Sequence, residues 1–128
     1  QVDLIVRGMC TLRPGVKGLS ENIRVRSIVG RQLEHSRVYC FHNNGADDTF
    51  ISSADWMGRN FFRRIEVATP VTTPTLKKRV IHEGLTMALD DNTHAWLMQP
   101  DGSYLRARPE NGEPAFSLQE SLWEMYGR

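Results

Sequence analysis

Residues 21–41 read ENIRVRSIVGRQLEHSRVYCF and contain two segments with the patterns of β-strands. The first, residues 23–29, begins with alternating apolar and polar side chains, which indicates a strand with one buried face. The second, residues 38–41, is a short apolar run, which favours a strand buried on both faces. We expect residues 30–34, between them, to form a short helical turn. These segments predict a fold that contains a β-sheet.

The sequence on either side adds strands and turns. Residues 4–6, Leu-Ile-Val, are a continuous apolar run closed by Arg-Gly, the pattern of a central strand buried on both faces. Residues 42–45 contain Asn-Gly, a strong signal for a hairpin turn, so residues 49–51 are the expected return strand. Residues 65–71 predict a further strand.

The second half of the chain adds helices. Thr73 is a plausible N-cap and Pro74 fits the first helical position, so a helix is predicted from residue 74. Residues 95–98 are a further expected strand. Residues 117–120, Ser-Leu-Gln-Glu, are a capping box that opens a last helix. Strands interleaved with helices predict an α/β fold, with α+β as the alternative, in which a mixed sheet is flanked by helices.

Length and composition favour one ordinary globular domain. The chain has 128 residues, of which 40% are hydrophobic and 24% charged. Its apolar runs are shorter than the roughly 20 residues of a membrane helix, and no secretory leader is visible. Cys10 and Cys40 match no metal-binding spacing, so we expect free thiols in a reduced, cytoplasmic setting. Because a predicted strand follows Gln1 almost at once, we expect the chain to be a fragment of a larger protein.

The charge is distributed unevenly along the chain. Residues 1–64 hold ten basic and six acidic side chains, and nine of the ten basic ones are arginine. Residues 65–128 hold six basic and nine acidic side chains. The planar guanidinium fork fits pairs of phosphate oxygens, so the first half favours a polyanionic partner. The alternative is an arginine-rich surface that is only solvated.

Arg7 and Gly8 follow the first predicted strand. Ligands of α/β proteins bind outside the carboxyl ends of strands, and a glycine lets a ligand approach the backbone. Arg7 is therefore a candidate anion-binding residue. The alternative is an arginine that ends a strand and points to water.

His35 and Arg37 come directly before the strand predicted at residues 38–41. In an extended chain, a spacing of two residues puts both side chains on one face. A neutral imidazole can accept or donate a proton or attack phosphorus, and a guanidinium neutralises phosphoryl oxygens. The alternative is a histidine exposed on the surface without a catalytic role.

Two further segments can contribute to such a site. In residues 52–55, Ser-Ser-Ala-Asp, the acid can orient an imidazole and the hydroxyls can donate to an oxyanion; the alternative is a plain turn in which Trp56 and Met57 anchor the core. In residues 64–66, Arg64 and Glu66 share one face if Ile65 faces the core. That pair is either a preset phosphate clamp or a surface ion pair.

The motif His-x-Arg at residues 35–37, followed by Ser-Ser-x-Asp at residues 52–55, resembles one half of a phospholipase D superfamily site. The signature of that site is His-x-Lys, then Asp, then Gly-Ser-x-Asn. In this chain Arg37 replaces the lysine, Asp55 replaces the asparagine, and His42 stands at the position of the middle aspartate. These departures disfavour a standard phospholipase or nuclease.

A longer resemblance fits better. The chain from residue 2 to residue 71 resembles the second C-terminal domain of bacterial polyphosphate kinases. The matching stretches are DLIVRG (3–8), SENIRVRSIVGR (20–31), LEHSR (33–37), SSADWM-x-RN (52–60) and RRIEV (63–67). They occur in order over more than half of the chain.

The resemblance implies that residues 1–128 are one phospholipase D-like domain of a kinase that reversibly transfers the terminal phosphoryl group of ATP to polyphosphate. The family forms a phosphohistidine on the preceding domain, so this chain is expected to supply a half-site. His35 is the implied catalytic residue. The residues implied to bind ATP phosphates or line the site are Arg7, His35, Arg37, Arg64 and Glu66.

Cofactor and partner expectations follow from the same resemblance. Mg²⁺ is expected in the intact enzyme, with ligands outside this chain and no metal site within it. The expected partners are ATP or ADP, polyphosphate and the preceding catalytic domain, with no nucleic acid. The intact enzyme is expected to be a homo-oligomer in the cytoplasm or peripheral at the inner membrane face. We also expect Arg7 and His35 to face one concave surface.

Two other functions stay open at this point. A stand-alone phosphodiesterase or nuclease would need a symmetric dimer, because one histidine motif must meet another. A non-catalytic polyanion-binding module would use the arginine-rich half and bind with strong salt dependence.

Overall fold

The computed structural model describes residues 1–127, which form two compact units. The first unit comprises residues 1–34 and the chain from residue 87 onward, and the second comprises residues 35–86. In chain order the strands are β1 (Val2–Ile5), β2 (Ile23–Ile28), β3 (Val38–Phe41), β4 (Asp48–Ser52), β5 (Ala68–Pro70), β6 (Ala95–Met98) and β7 (Tyr104–Arg106). The helices are α1 (Gly58–Arg63), α2 (Pro74–Ile81), α3 (Met87–Asp90) and α4 (Leu118–Tyr126).

The first unit is built on a mixed four-stranded sheet in the order β1-β2-β6-β7. β1 runs parallel to β2, whereas β6 is antiparallel to both of its neighbours. A cluster of buried core residues comes from β2, β6, α3 and α4, and consists of Ile28, Met87, Ala88, Ala95 and Leu118. The predicted α/β class, with a mixed sheet and flanking helices, is confirmed.

Arg26 connects β2 to α3 in this core. Its guanidinium donates to the carbonyl oxygens of Ala88 and Leu89. The last carbonyls of a helix lack helical partners, so the arginine satisfies groups that would otherwise need water. Burial lowers the pKa of Arg26 from its ordinary value.

Asp91 organises the end of the same core. The residue is 2% exposed. Its Oδ1 accepts the N–H groups of Thr93, His94 and Ala95 at 2.6 to 3.1 Å, and its Oδ2 accepts that of Leu118 at 2.9 Å. A buried carboxylate needs such donors because it has lost its water. Asp91 therefore joins the start of β6 to the start of α4.

The last helix predicted from the capping box at residues 117–120 is confirmed, with the serine half of the box in place. Ser117 is the N-cap of α4, and its Oγ accepts the N–H of Glu120 at 3.3 Å. This bond satisfies one of the unpaired donors of the first helical turn. The predicted strand at residues 95–98 is confirmed as β6.

β1 differs from the prediction of a central strand buried on both faces. It stands at the end of the sheet, and Val2 is 43% exposed. Within residues 1–127, β2 is the neighbour that β1 pairs with, so its second edge is unpaired. The apolar run therefore predicted more burial of β1 than residues 1–127 provide.

The second unit contains a three-stranded antiparallel sheet in the order β3-β4-β5. The Asn-Gly hairpin is confirmed, because a 3₁₀ turn at Asn43–Gly45 joins β3 to β4. Asn44 has φ 53°, in the left-handed region that asparagine tolerates. The prediction that residues 38–41 are buried on both faces is wrong, because Phe41 is 58% exposed. The predicted strand at residues 65–71 is shorter, and only Ala68–Pro70 pairs with β4.

The predicted helix from residue 74 is confirmed as α2, which Thr73 precedes in extended conformation. A π-helical turn, His82–Thr86, follows it. A Cβ atom at Gly84 within this turn would lie 3.0 Å from Cγ2 of Val38. The absent side chain therefore lets the turn approach β3 closely.

One local prediction is wrong, and one helix was not predicted. Residues 30–32 form bends, and residues 33–34 belong to no regular element, so the expected helical turn does not form. Helix α1 was not predicted, because its sequence GRNFFR carries Gly and Asn, and Met57 provides no capping side chain.

Cys10 and Cys40 are free, as expected. Among residues 1–127, no helix is both long and apolar enough to span a membrane.

Candidate functional site

Arg7 lies in the first unit, two residues beyond the last residue of β1, and is exposed. Its Nη1 donates to the carbonyl oxygen of Glu34 at 3.0 Å, which uses one of the five N–H donors of the guanidinium. An open groove of about 450 Å³ adjoins it, and Gly8, Trp96 and Tyr104 are among the residues that line this groove. The end of β1 therefore presents a cation beside an accessible cleft, and anion binding by Arg7 stays a prediction.

His35 lies in the second unit, shortly before β3, and is exposed. Nη1 of Arg37 lies 3.3 Å from Nδ1 of His35 and donates to the His35 carbonyl oxygen at 3.1 Å. The two-residue spacing thus brings the two side chains into contact. Arg37 therefore contacts His35 both at a ring nitrogen and at the backbone carbonyl oxygen.

Asp55 holds Arg37 in turn. Nε and Nη2 of Arg37 each lie 2.9 Å from Oδ1 of Asp55. Arg59, one helical turn further along, approaches Oδ2 of Asp55 at 3.8 Å. The hydrogen bond to Asp55 raises the pKa of Arg37 above its ordinary value, so this guanidinium is charged at every working pH.

This arrangement decides which proton the neutral imidazole carries. An arginine nitrogen is always a donor, so Nδ1 of His35 must accept with its lone pair. In the neutral ring the proton then lies on Nε2. His35 therefore presents an N–H donor at Nε2, and the acid at position 55 orients it indirectly, through Arg37.

Glu66 belongs to a second group of hydrogen-bonded polar side chains in the same unit. Its carboxylate accepts hydrogen bonds from Ser53 Oγ at 2.5 Å and from Asn60 Nδ2 at 2.6 Å. These bonds, that from Ser53 first, lower the pKa of Glu66 from its ordinary value, with a smaller contribution from the charge of Arg64. The Oδ1 atom of buried Asn60 has no hydrogen-bond partner among residues 1–127.

The interpretation of Arg64 and Glu66 as neighbours on one face of a strand is wrong. Ile65 is 99% exposed and faces no core. Arg64 ends helix α1 in an extended conformation, outside any strand, and is exposed. Glu66 is held by Ser53 and Asn60, so the structure does not join the two residues into a clamp.

Trp56 and Met57 are not the core anchors that a plain turn would make of them. They are 75% and 52% exposed. The Trp56 ring stacks on Tyr39 with centroids 6.0 Å apart, and its Nε1 donates to Tyr39 Oη at 2.9 Å. The segment that supplies Asp55 is therefore fixed by an aromatic contact at the surface.

Arg59 and Asn60 lie in the site, although no role was predicted for them from the sequence. Asp55 and Arg59 are four residues apart, which is the spacing of ion pairs on a helix. Because helix α1 was not predicted, this signal could not be recognised in the sequence. The contact of Asn60 with Glu66 has no comparable signal. The prediction that Arg7 and His35 face one concave surface stays a prediction.

The described residues do not form a metal site by themselves. Among residues 1–127, no three His, Cys, Asp or Glu side chains are grouped so as to hold a metal ion. A divalent cation such as Mg²⁺ prefers several oxygen ligands. The donors present here do not fit that requirement, and the prediction of Mg²⁺ bound elsewhere in the intact enzyme stays a prediction.

Comparisons with known proteins agree over almost the whole chain. The model of the polyphosphate kinase C-terminal domain 2 family matches residues 1–119. The polyphosphate kinase of Neisseria meningitidis serogroup B is 83% identical over 127 residues, which are 99% of this chain and 18% of that protein. The polyphosphate kinase of Burkholderia vietnamiensis is 65% identical over 108 residues, 84% of this chain and 16% of that protein.

A solved structure agrees as well. The crystal structure of polyphosphate kinase from Porphyromonas gingivalis is similar with a TM-score of 0.90 and 42% identity, over 98% of this chain and 19% of that one. The fold and the site define an α/β protein that presents a histidine held by an arginine–aspartate pair. The chain belongs to the polyphosphate kinase C-terminal domain 2 family. It spans about 18% of the length of the relatives from Neisseria.

Proposed function

We propose that the chain is part of a polyphosphate kinase, an enzyme that reversibly transfers the terminal phosphoryl group of ATP to polyphosphate. The family match over residues 1–119 and the names of the relatives support this proposal. Because the chain is a small share of those relatives, the activity belongs to a longer protein, to which these residues contribute a half-site. Mg²⁺, a preceding catalytic domain and a homo-oligomeric enzyme are parts of the same proposal.

The proposed role of His35 is to donate a hydrogen bond to the phosphoryl group or the leaving phosphate. The observation that carries it is the contact of Arg37 with Nδ1, which leaves the proton on Nε2. A nitrogen that carries this proton has no lone pair with which to attack phosphorus. The bond to phosphorus therefore forms at the histidine of the preceding domain, while the bond from phosphorus to the departing ADP oxygen breaks.

The arginines supply the remaining requirement. Phosphoryl transfer depends on positioning and charge neutralisation more than on covalent chemistry by the enzyme. Arg7 and Arg64 are exposed and are proposed to contact phosphate oxygens. Arg37 already binds Asp55 and His35, so its proposed role is mainly to position His35 and to add positive charge.

The test uses the longer enzyme with single substitutions. His35→Ala and Arg7→Ala should each lower polyphosphate synthesis from labelled ATP by about 10² to 10³-fold, as loss of a preorganised donor does. His42→Ala is the matched control, because His42 is an exposed histidine whose Nδ1 lies 3.2 Å from Asp47 in the same unit. Wild-type synthesis by either of the first two variants contradicts the proposal.

A further substitution separates the proposed role from proton transfer. The amide of His35→Gln keeps an N–H donor but cannot pass on a proton. If His35 acts by donating a hydrogen bond, the variant should retain synthesis within about tenfold of the parent enzyme. Activity as low as that of His35→Ala would show that His35 must give up its proton.

A further inference from the structure

The side-chain amide of Gln119, in the first turn of α4, binds the segment of chain that leads from β2 to His35. Its Oε1 accepts the backbone N–H of Gln32 at 2.9 Å, and its Nε2 donates to the carbonyl oxygen of the same residue at 2.7 Å. The same Nε2 donates to Oε1 of Glu34 at 2.7 Å. One glutamine therefore satisfies both backbone groups of one residue and the carboxylate of another.

The amide of Gln119 is fixed at its base and fits closely against the segment. Leu118, the residue before it, is 4% exposed in the core of the first unit, and its N–H is bound by Asp91. On the other side, a Cβ atom at Gly30 would lie 2.6 Å from Cδ of Gln119. A side chain at position 30 would displace the amide, so the bare glycine backbone lets Gln119 reach the segment.

Glu34 connects Gln119 to Arg7. Its carbonyl oxygen accepts the hydrogen bond from Nη1 of Arg7 at 3.0 Å, whereas its carboxylate is bound by Gln119. Among residues 1–127, Arg7 forms no ion pair with a carboxylate. An arginine binds a carboxylate more strongly than a neutral carbonyl oxygen, and a glutamate side chain can rotate toward a guanidinium beside its own carbonyl. The contact with Gln119 therefore keeps this carboxylate away from Arg7.

We propose that Gln119 is a positioning residue, which holds the Glu34 carboxylate away from Arg7 so that the guanidinium stays open to the phosphate oxygens of ATP; this rests on the proposed function. Arg7 uses one of its five N–H donors on the Glu34 carbonyl, which orients the guanidinium without neutralising its charge. A carboxylate in the same place would neutralise that charge and compete with phosphate for the remaining donors. Gln119 acts through Glu34 and does not itself contact the substrate.

The test measures initial rates of polyphosphate synthesis by the longer enzyme over a range of ATP concentrations. In Gln119→Ala the Glu34 carboxylate is released, so the KM for ATP should rise about fivefold, as expected if ATP must displace a surface ion pair, with kcat within about twofold of the parent. A purely structural role would lower the folded fraction, and hence kcat, and leave KM unchanged. Gln99→Ala is the matched control, because the Gln99 amide donates to the carbonyl oxygen of Leu97. A parental KM in Gln119→Ala overturns the proposal.

A second substitution tests whether the carboxylate is the cause. When Glu34→Gln is added to Gln119→Ala, the side chain at position 34 keeps its size but carries no charge that could compete for Arg7. The KM for ATP should therefore return to within about twofold of the parent value. A KM that stays raised in the double variant would mean that Gln119 acts only on the position of the backbone, and this result also overturns the proposal.

Two further measurements separate this inference from the proposed function. In a crystal structure of the longer enzyme with Gln119→Ala, the Glu34 carboxylate should lie within ion-pair distance of Arg7, and a carboxylate that stays away overturns the inference whatever the kinetics. Impaired synthesis by Arg7→Ala, together with a parental KM in Gln119→Ala, contradicts this inference alone. Wild-type synthesis by Arg7→Ala contradicts the proposed function, and the shift of Glu34 toward Arg7 would then appear in the crystal without any change in KM.

Discussion

Substitution of Asp55 by alanine should impair the proposed role of His35, although His35 itself is unchanged. Oδ1 of Asp55 accepts a hydrogen bond from Nε of Arg37 at 2.9 Å and lies 2.9 Å from Nη2 of the same guanidinium. Arg37 in turn contacts His35 at Nδ1 and at its carbonyl oxygen. In Asp55→Ala, Arg37 loses its anchor and His35 loses the neighbour that fixes its ring. The imidazole can then rotate or change tautomer.

The magnitude follows from the geometry of the pair. A hydrogen bond to a charged group contributes about 1.5–3 kcal/mol. Here one hydrogen bond and one ion-pair contact converge on a single oxygen, and both side chains are 21% exposed, so we expect about 2 kcal/mol for the pair. With an unfolding entropy of about 2.1 cal/mol/K per residue, this loss lowers the melting temperature of 128 residues by about 7 °C.

The matched control is Asp3→Ala, because Asp3 also pairs with an arginine, accepting from Nε and Nη2 of Arg24 at 2.7 and 3.2 Å, but has no contact with His35. Arg24 is 70% exposed, so the control should lower the free energy of unfolding by less than about 1 kcal/mol.

Activity is assayed in the longer enzyme at a temperature where all variants are folded. Polyphosphate synthesis should fall about 10²-fold in Asp55→Ala, as small misplacements of reacting groups do, and stay unchanged in Asp3→Ala. Asp55→Asn, which keeps an acceptor oxygen, should fall between them. Equal synthesis by Asp55→Ala and Asp3→Ala refutes the positioning of His35 through Arg37.

Three further predictions concern stability. Asp91→Ala leaves four backbone N–H groups without their acceptor and should lower the free energy of unfolding by about 4 kcal/mol, measured by urea titration. The lowered pKa of Glu66 means that its carboxylate stabilises the fold above its ordinary value near 4.5 and that this stability is lost as pH falls through the lower folded value. Ser53→Ala should therefore be less stable than the parent at neutral pH and converge with it in acid. Gly84→Ala should lower the free energy of unfolding by about 1–3 kcal/mol, because the new methyl group meets Val38. In the Val38→Ala background the same substitution should lower it by less, which a double-mutant cycle would measure.

The elements that could be predicted from the sequence are those specified by neighbouring residues. The alternation in β2, the Asn-Gly turn, the proline at the start of α2 and the serine cap of α4 each act within a few residues. The contact of His35 with Arg37 belongs to the same class, because two residues of extended chain fix it. Local chemistry therefore placed β2, the turn between β3 and β4, and the starts of α2 and α4.

The residues that position the site belong to another class. Asp55 lies 18 residues from Arg37, and Glu66 lies 13 residues from Ser53. Whether such side chains meet depends on how β3, β4 and α1 pack, which no short pattern contains. The sequence indicated that an acid was available, but not that it would reach the imidazole through an arginine.

The wrong predictions of burial all have one direction. The sequence predicted cover for β1, Trp56 and Ile65, and the structure leaves each of them at the surface, Ile65 at 99% exposure. Large exposed apolar surfaces on soluble proteins are typically sites of contact with other protein. These apolar side chains are therefore not buried by the rest of residues 1–127. An assay of the 128-residue chain alone would omit that cover together with the proposed second half of the site. Absence of kinase activity there would leave the proposed function intact, whereas normal activity of His35→Ala in the longer enzyme would not.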